Sequence, residues 1–118
     1  MVLYVDIDQH VWGQEDFTDV DALALTGTIY DAFNLTTAFD LTGYTLTFRY
    51  VSQGRVIYDD DTNIEIVTAG SGTWRFKPDE GSLPIDANGE VVILLEKSGT
   101  QISAIGINGS SDLHILTV

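Results

Sequence analysis

Short runs of alternating hydrophobic and polar residues, separated by glycine-containing turns, recur along the chain. In TLTFRYV, Leu46, Phe48 and Tyr50 fall on one side of an extended strand and the residues between them fall on the other. Helical spacing of apolar residues is scarce. The pattern predicts strands at residues 3–7, 22–30, 45–51, 55–58, 64–68, 73–76, 90–96, 102–107 and 113–118.

Glycine positions predict where these strands turn. Gly54 in VSQGRVI predicts a hairpin, because glycine readily takes the positive φ that a short connection between twisted strands requires. The residues AGSG at 69–72 predict a second turn, after which Trp74 and Phe76 point to the same side. We expect Trp74 in the core, and an exposed binding platform is the alternative.

The run Val91 to Leu95 is almost uniformly apolar. Such a run is typical of a strand covered on both faces, either inside a sandwich or by a neighbouring subunit. With the other strands it predicts an all-β fold, an antiparallel β-sandwich over residues 21–118.

Residues 1–20 lack a clean period in their second half, where acidic residues surround Trp12 and Phe17. We expect an N-terminal arm or added strand whose Trp12 and Phe17 contact another subunit, because aromatic anchors dominate interface energetics. Folding back of this segment onto its own domain is the alternative.

The chain is unusually acidic for a globular domain. It has 5 Lys and Arg and 18 Asp and Glu, which gives a net charge of -13. This charge argues against nucleic acid and anionic membranes as partners. The chain has no Cys and no apolar run near the roughly 18 residues of a membrane span, so we expect a soluble protein. Self-repulsion is screened at high ionic strength, so we expect a halophilic protein; an acidic protein from an ordinary organism is the alternative.

Residues that could carry chemistry are few and scattered. The two histidines, His10 and His114, lie near opposite ends, and no Ser, His and acid arrangement is readable, so we expect no enzyme and no cofactor. The densest acidic run, Asp59, Asp60 and Asp61, is a weak candidate for a cation site, and a solvated surface is the alternative.

Two smaller features raise similar questions. Asp6 and Asp8 alternate toward one face and form a still weaker cation candidate. Asn34 and Asn108 begin triplets that match the glycosylation acceptor pattern, which matters if the protein meets a glycosylation system.

From Asp40 onward the chain reads DLTGYTLTFRY, a glycine-centred hairpin, IEIVTAGSGTWRFKP, a polar turn, GEVVILLEKSGTQIS and a closing HILTV. This order resembles the N-terminal domain of tailed-phage upper baseplate proteins and related immunoglobulin-like fibre domains. The resemblance implies an immunoglobulin-like sandwich without catalytic residues, which attaches or projects other parts of a virion. The acidic residues before Asp40 depart from it and leave the location in the particle open.

We therefore expect a virion structural protein of a tailed virus, a haloarchaeal one if the charge reflects habitat. Its expected partners are other virion proteins and further copies of itself, because oligomers cover the edges that sheets leave open. A capsid decoration or turret protein is one alternative. A carbohydrate-binding or adhesion module is another.

The charge yields a first prediction. Raising KCl from about 0.1 M to about 2 M should raise the thermal unfolding midpoint substantially, because the screening length shrinks to a few ångströms. A calorimetric melting series measures this, and an unchanged midpoint would remove the halophilic interpretation.

Overall fold

The computed structural model describes residues 2–13, 25–32, 34–77 and 87–116, with the main chain alone at 12, 13, 87 and 116. Within these ranges the chain forms strands and a short 3₁₀ helix at Ala69–Ser71, and no helix has the length and hydrophobicity needed to cross a membrane. The strands are β1 (Leu3–Ile7), β2 (Val11–Gly13), β3 (Leu25–Tyr30), β4 (Thr45–Ser52), β5 (Arg55–Asp60), β6 (Ile64–Thr68), β7 (Thr73–Phe76), β8 (Ala87–Lys97), β9 (Thr100–Ile105) and β10 (Asp112–Leu116).

The sheet forks along β8, its longest strand. One side of β8 pairs with β4 from Glu90 to Glu96. The other side pairs with β10 at its beginning and with β9 from Ile93 to Lys97. From β9 the sheet continues through β1, β3 and β7 to β6, while β5 extends it beyond β4. The curled sheet confirms the predicted all-β sandwich.

Two of the described strand pairs are parallel, so the sandwich, which was expected to be antiparallel, is not antiparallel throughout. Strand β1 pairs in parallel with β9, and β2 pairs in parallel with β10. Hairpins impose antiparallel pairing on neighbours in sequence, but these partners come from opposite ends of the chain and no hairpin restricts their direction. The sheet is therefore mixed.

Aromatic side chains fill the space between the two layers. The rings of Phe48 on β4 and Phe76 on β7 stack with centroids 3.8 Å apart and planes 5° apart. Tyr58 on β5 meets both rings edge-on, with centroids 6.3 Å away. Trp74 is fully buried beside them, which confirms its predicted place in the core.

Gly27 on β3 leaves the room that Trp74 occupies. A Cβ atom at Gly27 would lie 2.4 Å from the Cζ2 atom of the Trp74 ring. The indole lies across this glycine, and its Nε1 has no hydrogen-bond partner among the described residues. Glycine at this position is therefore required by packing.

The side chain of Tyr50 connects β4 to β10 by a hydrogen bond. Its buried hydroxyl donates a 2.6 Å hydrogen bond to the backbone oxygen of Leu113. Burial raises the pKa of Tyr50 to about 12, so the hydroxyl stays protonated and remains a donor. Strand β10 is thereby attached to the inner face of β4 as well as to β8.

The turns predicted at Gly54 and at residues 69–72 form as expected. Gln53 and Gly54 both have positive φ, 53° and 76°, as a two-residue hairpin between β4 and β5 requires. Gly72 ends the 3₁₀ turn with φ 67°. In the DLTG turn, Asp40 accepts hydrogen bonds from the backbone nitrogen and the hydroxyl of Thr42, and these bonds lower its pKa.

The apolar run of β8 separates into two faces. Val91, Ile93 and Leu95 belong to the core, whereas Val92 and Leu94 point away from it. The run therefore lies inside a sandwich and also carries apolar side chains on its outer face. That second face explains why the sequence does not alternate there.

The described part of the N-terminal segment belongs to the sheet. Strand β1 lies between β3 and β9 with Leu3, Val5 and Ile7 buried, and β2 extends the edge beyond β10. Residues 14–20 lie outside the described ranges, as do the predicted strand residues 22–24 and 117–118 and the polar turn at 78–86.

Candidate functional site

The chain's two histidines meet at one open depression of about 500 Å³. His114 points outward from β10 between buried Leu113 and Ile115, and its backbone nitrogen donates to the oxygen of His10 at 2.9 Å. The Nδ1 atom of His10 lies 2.7 Å from the backbone oxygen of Asp112. A carbonyl can only accept, so Nδ1 carries the proton and donates this bond.

The opposite wall of the depression comes from the β4–β5 hairpin and the beginning of β8. Gln53, Gly54, Asn88, Gly89 and Glu90 line it. Gly89 is needed there because a Cβ atom would lie 2.4 Å from the backbone oxygen of Val51. Two imidazoles and the carboxylates of Glu90 and Asp112 therefore surround a space that accepts a small polar ligand.

The proximity of His10 and His114 could not be predicted from the sequence, because it depends on the parallel pairing of β2 with β10. The described residues that line the depression include no Ser, Thr, Cys or Lys. They offer hydrogen bonds and proton transfer by imidazole, and they include no hydroxyl, thiol or amine nucleophile.

The acidic run at the end of β5 organises a turn. The Asp60 carboxylate accepts hydrogen bonds from the backbone nitrogens of Thr62 and Asn63, from the Asn63 amide and from the Tyr58 hydroxyl. Burial opposes ionisation of Asp60, but the bonds from Asn63, Tyr58 and Thr62 outweigh it, so its pKa is lowered.

The two neighbours of Asp60 differ from it. Asp59 forms a two-point ion pair with Arg49, at 2.8 Å and 3.2 Å, and this hydrogen bond raises the pKa of Arg49. Asp61 is exposed and accepts a 3.3 Å bond from the Thr62 hydroxyl. All three candidate carboxylates thus have hydrogen-bond partners within the chain, and the single long bond to Asp61 is the weakest of them.

Asp6, Asp8 and His10 follow one another toward a single face. Burial raises the pKa of Asp6, the charge of Asp8 raises it further, and His10 lowers it. Asp8 accepts a 2.5 Å hydrogen bond from the Thr26 hydroxyl. Across the described ranges, no three His, Asp or Glu side chains are grouped so that they could hold a metal ion.

A third feature is an apolar area on the outer face of β8, β9 and β1, which we call the outer patch. Its members are Val2, Tyr4, Val92, Leu94 and Ile105. Tyr4 pairs with Ile105 on β9, and Leu94 pairs with Ser103 on the same strand. Val2 is 55% exposed and Ile105 is 44% exposed, whereas Leu94 is 6% exposed.

Residues of the neighbouring strands, of which Arg49 on β4 is charged, border the outer patch on both sides. Thr47 on β4 pairs with Leu94, and Tyr30 on β3 pairs with Tyr4. The outward alternation of Val92 and Leu94 was the sequence signal for this surface. Its extent was not readable from sequence, because β1 reaches β9 through a long-range parallel pairing.

The two aromatic residues predicted to contact a partner remain predictions. The backbone of Trp12 lies in β2, opposite Ile115 of β10. Phe17 lies outside the described residues. Asn34 and Asn108 are exposed, and in the second triplet the nearly buried Ser110 hydroxyl donates to the backbone oxygen of Val5 at 2.7 Å.

Comparisons with protein-family models, with curated proteins and with solved structures find no match to this chain.

The Asp60 turn yields a second prediction. Asp60→Ala should lower the free energy of unfolding at pH 7 by about 2 kcal/mol, because several donors lose a charged acceptor. Asp61→Ala is the matched control and should cost less than about 0.5 kcal/mol. Urea unfolding measures both.

The pH dependence of the Asp60 effect has a definite sign. The folded pKa lies below the ordinary value of 3.8, so the stabilisation is present above that value and disappears as the pH falls through the folded pKa. The difference between the wild type and Asp60→Ala should therefore shrink in strong acid. Equal costs for the two substitutions at pH 7 would contradict the assigned role.

Proposed function

We propose that this protein is a non-catalytic assembly module, a structural component of a tailed virus particle in its tail, baseplate or capsid projection. The observation that carries the proposal is the outer patch. Val2, Tyr4, Val92 and Ile105 form a connected apolar surface on a chain with net charge -13. Connected exposed apolar surface of this kind is characteristic of sites that contact other proteins.

The edge strands of the sheet favour assembly through a face of the sheet over assembly through strand pairing at its edges. Two of the three strands that end the described sheet carry an irregularity next to an exposed apolar residue: Ile57 interrupts the pairing of β5 with β4, and Val67 interrupts the pairing of β6 with β7. Bulges of this type twist an edge and discourage pairing with another chain. At β5 and β6 the module is therefore better suited to contacts through a face than through an edge.

The viral part of the proposal rests on the resemblance of the region from Asp40 onward to baseplate and fibre domains. The turn chemistry is in keeping with it: the DLTG turn is closed by Asp40 and leads through Tyr44 into the core strand β4. A capsid decoration or turret protein would use the same rigid module at another position of the particle. The acidity supports a particle that assembles at high salt.

The depression around His10 and His114 favours a second candidate, a carbohydrate-binding or adhesion module. Imidazoles and carboxylates on its walls would hydrogen-bond sugar hydroxyl groups. A glycan array separates the two functions. Selective sugar binding by the isolated domain, lost in Trp12→Ala or His114→Ala, would favour this second candidate.

A map of intact particles tests the leading proposal. Purified virions should contain this chain at regular positions of a three-, five- or sixfold arrangement, identified in an electron microscopy map and by mass spectrometry of the same particles. Its absence from intact particles would overturn the proposal. Tail positions would separate the baseplate role from capsid decoration.

A further inference from the structure

The dipeptide Asn–Gly occurs twice in the chain, at Asn88–Gly89 and at Asn108–Gly109. An asparagine followed by glycine can modify itself, because the backbone nitrogen of the glycine can attack the side-chain carbonyl carbon of the asparagine. Glycine favours this ring closure, since it has no Cβ atom to obstruct it and its backbone readily changes conformation. Both dipeptides carry the same reacting groups, so their surroundings in the fold determine which of them can react.

Asn108 and Gly109 form the exposed tip of the turn that precedes β10. Their φ values are 53° and 81°, and the Ser110 backbone nitrogen donates to the Ile107 oxygen at 3.0 Å, as in a two-residue type I′ turn. Within the described residues, neither the Asn108 side chain nor the peptide group between Asn108 and Gly109 has a hydrogen-bond partner. This peptide group can therefore rotate toward the side chain without breaking a hydrogen bond of that part of the chain.

Asn88 and Gly89 lie inside β8 and lack this freedom. Both pair with β10 in the antiparallel ladder, and the Ser52 hydroxyl donates a 2.6 Å hydrogen bond to the Asn88 backbone oxygen. Gly89 is packed so closely that a Cβ atom would lie 2.4 Å from the backbone oxygen of Val51. Ring closure at this dipeptide requires the ladder to open, and paired strands of the core open far less often than exposed turns.

We propose that Asn108 is a site of spontaneous deamidation, at which the folded chain converts an exposed asparagine into aspartate and isoaspartate. The Gly109 nitrogen bonds to the side-chain carbonyl carbon of Asn108, and its proton passes through water to the amide nitrogen, which leaves as ammonia. Water then opens the resulting succinimide ring at either carbonyl carbon. Opening at the side-chain carbonyl gives aspartate, and opening at the backbone carbonyl gives isoaspartate. This reactivity is independent of the proposed assembly function.

The turn at Asn108 also holds the N-terminal strand β1 through Ser110. The Ser110 hydroxyl donates to the Val5 oxygen at 2.7 Å, and the Ser110 backbone oxygen accepts from the Ile7 nitrogen at 2.9 Å. Isoaspartate routes the main chain through the former side chain and so adds a methylene group to the backbone of this tight turn. We expect the longer backbone to displace Ser110 and to weaken its hydrogen bonds to β1.

Incubation of the purified chain in warm, mildly alkaline buffer tests the site. Peptide mass spectrometry follows the loss of each amide group, and methylation by a protein isoaspartate methyltransferase detects isoaspartate. In the folded chain, Asn108 should convert at least about tenfold faster than Asn88, because Asn88 reacts only when its ladder opens. In concentrated guanidinium chloride the difference should disappear, since both dipeptides are then unrestrained.

Asn108→Gly is the matched control variant. Glycine accepts the positive φ of this position and has no side-chain amide, so the variant keeps the turn and cannot react there. After the same incubation, the wild type should lose thermal stability in proportion to its isoaspartate content. The melting temperature of Asn108→Gly should not change, and its methylation signal should be absent.

Three results would overturn the proposal: an Asn108 that stays intact in the folded chain while it converts in denaturant, conversion of Asn88 as fast as that of Asn108 in the folded chain, or a rate difference that persists in denaturant. The last result would assign the difference to the sequence around each dipeptide instead of the fold. An isoaspartate form that melts like the unmodified chain would refute the link to β1 and leave the modification site standing.

Discussion

The stacked contact between Phe48 and Phe76 joins the two layers of this protein. Phe48 belongs to the β4–β8 side of the fork and Phe76 to the β3–β7 side, and their parallel rings lie 3.8 Å apart. Tyr58 meets both rings edge-on, so the β5 hairpin is fixed by the same cluster. Because the chain has no disulfide, burial of such groups must supply most of the stability that offsets the entropy of folding.

This aromatic core determines what the surface can do. Alternation sends Phe48 and Phe76 inward, and the same alternation sends Arg49 and Arg75 outward, where each pairs with an acid on the next strand. Most of the remaining acids have no such cation to meet, since the chain has 18 acids and 5 Lys and Arg. The outer patch is a group of uncharged side chains on this acidic surface, and its exposed apolar members are the basis for proposing a role in assembly.

Much of the fold was predictable because the chain's local signals agree with one another. Alternation located β1, β6 and β7 at their observed bounds, and Gly54 located the tight hairpin. The three residues of β2 were missed, since so short a strand has no readable period. The parallel pairings of β1 and β2 were missed as well, because they depend on contacts between opposite ends of the chain.

The candidate sites were less predictable for the same reason. His10 and His114 are 104 positions apart in sequence yet share one depression, and only the register of β2 on β10 brings them together. In the sequence, only Val92 and Leu94 indicated the outer patch. Its continuation through Ile105 to Tyr4 depends on the β9–β1 pairing, which the sequence did not predict. The acids at Asp59 and Asp60 were visible in sequence, whereas their partners Arg49 and Asn63 were not.

A double-mutant cycle on the aromatic contact tests this account most directly. Urea unfolding of Phe48→Leu, Phe76→Leu and the double variant gives the coupling free energy between the two rings. The account predicts a favourable coupling of about 1 kcal/mol beyond the loss of buried area, because the rings stack across the two layers. Strictly additive losses would contradict the claim that this contact joins the halves of the sandwich.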